Sequence, residues 1–280
     1  MKRTNEGRVV AITGAGSGIG RALALQAAHQ GASLAISDWN ADGLAETVRL
    51  IEASAPGAKV HSATVDVADR DAMAAWAAQV VETFGEVGML VNNAGVTMTG
   101  HFEDMTYEEF DWIVGVNLSG VVNGTKEFLP HLIASGDGVL VNISSLFGLV
   151  SMPGQTAYNA TKYAVRGFTE ALREEMLIDG HPVSVTCVHP GGIKTGIARN
   201  GRKTAHTNAS AIDDLFEKRL ARTSAESAAA QILKAALAGK PRLLIGLDAH
   251  AVHQGAKLAG ARYQDVVAAI SSRLLPKPID

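Results

Sequence analysis

The sequence predicts an α/β protein built on a mostly parallel, doubly wound sheet of seven strands with helices on both faces. Three observations carry this reading. Short β-rich apolar runs near 8–13, 33–38, 59–65, 87–92, 138–144, 183–188 and 242–246 alternate with stretches of helical pattern. The first of them is almost continuously apolar, as a strand buried on both faces must be. No repeat, low-complexity tract or linker divides the chain, so 1–280 is expected to form one domain.

Composition narrows the partners. The 280 residues carry a net charge of -3, which gives no basic field for nucleic acid or an anionic membrane and leaves small-molecule chemistry as the better expectation. Cys187 is the sole cysteine, so neither an intrachain disulfide nor a cysteine-based zinc site can form. No apolar run approaches the about 18 residues of a membrane span, and the first seven residues lack a signal-peptide core. A soluble protein of a reducing cytoplasm is expected.

The first run, 8–13, leads into a loop containing Gly14, Ser17, Gly18, Ile19 and Gly20, then a helical stretch from Arg21 to Gln30 closed by Gly31. Strand, glycine loop and helix make a Rossmann-type dinucleotide-binding start, because glycines let the backbone approach a pyrophosphate at a helix N-terminus. The second run ends at Asp38, eighteen residues after Gly20. An acid there accepts hydrogen bonds from the adenosine ribose and repels a 2′-phosphate, which points to NAD. The plainer alternative is that Asp38 only begins a turn.

Tyr158 and Lys162 lie four apart and would share one helix face, with Ser145 thirteen residues before Tyr158 across a Pro-Gly loop. A cation beside a phenol favours the phenolate and tunes it as a proton carrier. Taken alone, the pair also fits an ordinary amphipathic helix.

The glycine spacing is Thr13-Gly14-x-x-x-Gly18-x-Gly20, and five more motifs follow in order. They are Asp66 and Val67 after the third strand, Asn93, Ala94 and Gly95 after the fourth, Asn142 to Ser145 after the fifth, Tyr158-x-x-x-Lys162, and Pro190-Gly191-x-Ile193-x-Thr195 after the sixth. Together, over about two thirds of the chain, they resemble the classical short-chain dehydrogenase/reductase family. The resemblance implies NAD-dependent interconversion of a secondary alcohol and a ketone. It assigns proton transfer to Tyr158, ribose binding and pKa depression to Lys162, and the substrate oxygen to Ser145. Asn117 would hold a water leading from the lysine to solvent. The remaining motif residues would bind the cofactor, Asp66 at the adenine. NADP-preferring relatives place a cation before Gly18 or after the second strand, where this chain has Ser17 and Trp39. Within the fold the rival is a 3-oxoacyl carrier-protein reductase, which usually takes NADPH. A non-catalytic NAD-binding regulator would keep the glycine loop and lose the catalytic set.

Other segments complete the expectation. Thr106 and Glu109 form a capping box opening a long helix that contains Asn117. Ala164, Phe168, Leu172 and Met176 make a core-facing stripe. Small residues Ala157, Ala160 and Gly167 suit either the sheet or, by the resemblance, a twofold mate in a homodimer or homotetramer. Residues 193–222 correspond to a substrate lid. Leu146, Phe147, Val150 and Met152 are a hydrophobic pocket lining or core. An edge strand is expected over 243–247 and an amphipathic helix over 263–275. His250 and His253 read as surface residues with no metal site, His189 as structural, and Cys187 as an inert buried thiol.

Overall fold

The computed structural model describes residues 3–216 and 221–274. All seven expected strands form: β1 (Val9–Thr13), β2 (Ser33–Asp38), β3 (Val60–Thr64), β4 (Met89–Asn92), β5 (Gly138–Ile143), β6 (Val183–Pro190) and β7 (Arg242–Ile245). They pair in the order β7-β6-β5-β4-β1-β2-β3, and every pairing is parallel. Ten α-helices are described: α1 (Gly18–His29), α2 (Ala41–Ser54), α3 (Arg70–Phe84), α4 (Tyr107–Val114), α5 (Gly120–Ala134), α6 (Thr156–Ile178), α7 (Ala209–Leu215), α8 (Ala225–Leu237), α9 (Leu247–Ala259) and α10 (Tyr263–Leu274).

The continuous apolar pattern of the strands is explained by two cores. Val10 and Ile12 of β1 face one core with Leu23 of α1 and Ile232 of α8. Val9 and Ala11 face the other, with Trp76 of α3, Phe128 of α5, and Leu172 and Met176 of α6. Alternate residues leave opposite faces of a strand, so both sets must be apolar when both faces are covered. Strand order reverses between β1 and β4, and the carboxyl ends of parallel strands open a crevice at such a point.

Several boundaries differ from expectation for local reasons. α1 begins at Gly18, inside the glycine loop, not at Arg21. β7 ends at Ile245, and Leu247 opens α9 after Gly246, whose φ of 99° breaks the strand. The capping box at Thr106 forms with both reciprocal bonds. The helix it opens is interrupted by a π turn over Gly115–Ser119, which carries Asn117. On α6, Leu172 and Met176 are buried and Phe168 packs beside them, whereas Ala160 and Gly167 face outward, away from the sheet. His253 is buried, not on the surface.

The segment after β6 is anchored at two points. Ile193–Lys194 pairs with Thr223–Ser224, and Arg202–Lys203 pairs with Met98–Thr99. The Arg202 guanidinium also lies 4.0 Å from the centre of the Trp112 ring. Part of the expected lid, 217–220, and Leu275 of the expected C-terminal helix lie outside the described residues.

Candidate active site

At the crevice, the glycine loop is shaped by what its glycines lack. A Cβ on Gly20 would stand 2.0 Å from the Gly14 carbonyl oxygen, and one on Gly14 would stand 2.7 Å from the Ala94 Cα. Gly14 and Gly18 have φ of 67° and 52°, conformations that side chains disfavour. α1 therefore starts hard against the loop. Its N-cap, Ser17, makes no side-chain cap, and no acid stands in its first turn. Such an uncapped N-terminus presents backbone N–H groups to an anion. Thr195 leans over this end, its methyl 3.1 Å from where a Gly18 Cβ would be.

Asp38 is buried beside that loop. Its Oδ2 accepts the Gly16 N–H at 2.7 Å and its Oδ1 the Asn40 N–H at 2.9 Å. The turn reading of Asp38 is thus correct as far as it goes, and the same bonds hold the carboxylate against the glycine loop. Arg21, a cation nearby, is committed to the carbonyls of Gly16 and Gly43 and to Thr47.

The other proposed cofactor residues border the same crevice. Asn93 braces it, donating to the carbonyls of Thr13 and Gly14, while the Asn93 and Ala94 amides donate to the Thr13 hydroxyl. Asp66 is exposed just past β3 and caps the Ala68 amide, beside buried Val67. Pro190 ends β6, and Ile193 is buried in the short pairing beyond it. Gly191 is packed against Asp248, which accepts the Gly192 N–H at 2.8 Å. An uncapped helix end, close-packed glycines and an adjacent acid together fit a dinucleotide.

Farther along the crevice stand the residues expected to handle the proton. Tyr158 and Lys162 share one face of α6, with the Lys162 Nζ 5.7 Å from the tyrosine ring centre. Ser145 stands beside the Tyr158 hydroxyl. The Ser145 Oγ accepts the Phe147 N–H at 3.1 Å. The neighbouring Ser144 points elsewhere, donating to the Lys162 carbonyl at 2.8 Å. Phe147 meets Tyr158 edge-on, 6.2 Å between ring centres. Met98, Ile113 and Ala157 pack against the tyrosine, with Val96, Met105, Phe110 and Trp112 around them.

The electrostatics depart from expectation. Burial pushes the Tyr158 pKa up, opposed by the Ser145 hydroxyl. The Lys162 ammonium, itself buried, is pushed down to about 8. Desolvation disfavours the charged form of each and is the largest influence on both. The lysine is held by donating to the Ile143 carbonyl at 3.0 Å.

Asn117 sits at the back of this group. Its Oδ1 accepts the Val96 N–H at 2.8 Å, and its Nδ2 donates to the Val96 carbonyl and the Thr161 hydroxyl. A Cβ on Gly95 would lie 3.3 Å from both the Asn117 Oδ1 and the Lys162 Nζ, so the glycine keeps open the space they share.

Of the four apolar residues expected to line a pocket, Leu146 and Val150 are core, packed with Ala249 of α9 and with Tyr263 of α10. The Ser151 N–H donates to the Tyr263 hydroxyl at 3.1 Å, tying the loop between Ser145 and Tyr158 to the C-terminal helices. Gln155 bridges the hydroxyls of Thr97 and Thr99 beside the segment paired with Arg202–Lys203. Neither contact has a sequence signal, since each joins residues far apart in the chain. His189 is wholly buried and its Nδ1 lies 2.8 Å from the Ser145 carbonyl oxygen. Among the described residues no group of three or more His, Cys, Asp or Glu side chains could hold a metal ion.

Comparison with known proteins gives a consistent picture. A family model described as short chain dehydrogenase matches residues 8–206. A Mycobacterium tuberculosis protein named as an oxidoreductase, SadH, is 53% identical over 271 residues, covering 97% of this chain and 98% of that protein. A Thermotoga maritima 3-oxoacyl-[acyl-carrier-protein] reductase is 39% identical over 190 residues, 68% of this chain and 76% of that protein. The crystal structure of a short chain dehydrogenase/reductase from Burkholderia phymatum in complex with NAD superposes with a TM-score of 0.84 at 30% identity, covering 99% of this chain and 98% of that one.

Proposed function

Because the chain belongs to the short-chain dehydrogenase family, we propose that this oxidoreductase interconverts a secondary alcohol and a ketone with NAD. The observation that carries the reading is the buried Tyr158 with Ser145 beside it and Lys162 one helical turn away.

The nicotinamide supplies or accepts the hydride when bound. Tyr158 moves the proton at its hydroxyl, giving it to the substrate oxygen in reduction and taking it in oxidation. The Ser145 oxygen already accepts from Phe147, so its own O–H is free to donate to the substrate oxygen and offset developing charge. Lys162 acts on the phenol as a cation and binds the ribose. Asn117 holds a water in the space that Gly95 leaves beside Lys162. The helix α1 N-terminus with Gly14, Ser17, Gly18, Ile19, Gly20 and Thr195 takes the pyrophosphate, and Asp38 selects NAD by leaving no room for a second anion. Asp66, Val67, Asn93, Ala94, Gly95, Pro190, Gly191 and Ile193 complete the cofactor site.

The half-buried Met105, Phe110, Trp112 and Phe147, packed against the cluster that holds Tyr158, support a hydrophobic or cyclic substrate. Residues 193–222 serve as its lid within a single domain spanning 1–280. Outward small residues Ala160 and Gly167, with exposed Leu177 and Ile178, support a homodimer or homotetramer through α6. No described helix is long and apolar enough to cross a membrane; the reading is of a cytoplasmic enzyme.

A second reading, reduction of a 3-oxoacyl group on a carrier protein, draws support from the Thermotoga maritima relative. Asp38 weighs against the NADPH usual to that activity. The test is a panel of secondary alcohols, including cyclohexanol, assayed with NAD by the appearance of NADH. Turnover that disappears in Tyr158→Phe while NADH still binds supports the reading; substantial turnover in that variant overturns it.

A further inference from the structure

We infer that His189 is a positioning residue of the active site, holding the Ser145 peptide from behind so that the Ser145 hydroxyl stays aimed at Tyr158. The inference rests on the role proposed above for Ser145.

The strand ladder explains the need. β5 and β6 pair in parallel up to Ile143 opposite Val188, and the Ser144 N–H makes the next bond, to the Val188 carbonyl at 2.8 Å. Ser145 lies one residue further, where the chain turns away towards Leu146–Gly148. Its peptide can no longer be held by regular pairing. His189, the next residue on β6, supplies the missing contact through its side chain: Nδ1 is 2.8 Å from the Ser145 carbonyl oxygen.

The chemistry fixes the direction of that bond. A carbonyl oxygen only accepts, so Nδ1 carries the proton. The ring is neutral, because burial, helped by Arg242 and Arg166 and opposed by the Ser145 carbonyl and Glu170, pushes its pKa down to about 4. A neutral ring with its proton on Nδ1 leaves Nε2 a bare acceptor. Nε2 is buried and finds no partner among the described residues. An unpaired buried acceptor is a cost that an aliphatic residue would avoid. Val185, Cys187 and Val188 of β6 are apolar and buried. What the histidine contributes here that an aliphatic residue would not is its Nδ1–H.

Ser145 is gripped on every side by this arrangement. Its carbonyl accepts from His189 and, at 2.9 Å, from the Gly148 N–H, and its hydroxyl oxygen accepts from the Phe147 N–H. The main chain is extended here, φ -163° and ψ 166°, and the hydroxyl keeps its own proton to donate.

The experiment compares His189→Leu, His189→Asn and His189→Gln in the full chain, with Ser145→Ala alongside. Turnover is measured with NAD and the fastest secondary alcohol of the panel, and NADH affinity by fluorescence. Asparagine carries an N–H at the same number of bonds from the backbone as Nδ1, and glutamine one bond farther. His189→Leu should lower kcat by about 10- to 100-fold with NADH affinity unchanged, and His189→Asn should restore most of it. Wild-type kcat in His189→Leu, or loss of NADH binding together with kcat, overturns the inference. Should the leucine variant not fold, the amide pair decides: kcat of Asn above that of Gln supports the inference, and equality overturns it. Wild-type turnover in Ser145→Ala overturns the role of Ser145 itself; a slow Ser145→Ala beside a fast His189→Leu overturns only the role of His189.

Discussion

The Ser144 hydroxyl donates to the main-chain carbonyl of Lys162 at 2.8 Å. That bond turns one of two adjacent serines into the helix behind the site and leaves Ser145 to face Tyr158. Substituting each serine should separate their roles in turnover. Ser144→Ala should lose about 1 kcal/mol of stability and keep most turnover. Ser145→Ala should lower kcat by about 10²-fold, the scale of a lost donor to a developing oxyanion, at a cost in stability similar to that of Ser144→Ala because the Phe147 N–H loses its acceptor. Denaturant melts and steady-state rates on the same preparations check the pair.

Lys162 gives a prediction whose sign depends on pH. Its pKa is lowered from 10.5 to about 8 by burial. Between those values the unfolded chain binds the proton that the folded chain has released, so this group makes stability rise with pH across that window. Below about 8 the folded protein carries the cost of a buried ammonium, on the order of 3 kcal/mol. Lys162→Met, inactive, should therefore be at least as stable as wild type at neutral pH, and its advantage should shrink as pH rises from 8 towards 10. A melting-temperature difference that grows over that range would contradict the argument.

Asp38 should govern cofactor choice. Its two carboxylate oxygens hold the Gly16 and Asn40 amides, so the charge cannot swing away from a ribose phosphate. Asp38→Ser removes the charge and keeps a short polar side chain. NADPH affinity relative to NADH should rise by at least about tenfold, the change that roughly 1.4 kcal/mol of relieved repulsion produces. Competitive fluorescence titration of the two nucleotides reads this directly.

Two glycines inside helices should respond in opposite directions. A Cβ at Gly20 would overlap the Gly14 carbonyl oxygen at 2.0 Å, whereas one at Gly255 of α9 meets nothing within 4 Å. Gly20→Ala should abolish NADH binding and destabilise the fold. Gly255→Ala should stabilise by about 0.5–1 kcal/mol, because it removes backbone freedom from the unfolded chain without a clash. Calorimetry and NADH titration of both variants test the contrast.

Much of the fold was legible because its signals are local. The apolar runs, the glycines of the loop and the capping box at Thr106 each declare an element within a few residues, and the parallel order follows from strands alternating with helices. Strand ends were less certain: Leu247 reads as strand by composition and is helix because Gly246 bends the chain before it. Ala160 and Gly167 read equally as sheet-facing or outward, since small residues suit either. His253 looks like a surface residue until α9 packs it inside.

By itself the sequence determined the parallel α/β architecture and the glycine loop with its acid at Asp38, and its resemblance to a family pointed to Asn117, Ser145, Tyr158 and Lys162 as the proposed catalytic set. Only the tertiary structure decided how they are tuned. The spacing of Tyr158 and Lys162 implies attraction between a cation and a phenolate; burial, the largest influence on each, raises the pKa of the tyrosine and lowers that of the lysine. The contacts that settle Ser145, from Phe147 nearby and His189 forty-four residues away, depend on where β5 and β6 stop pairing. Desolvation and long-range hydrogen bonds are properties of the packed molecule, and no window of the chain contains them.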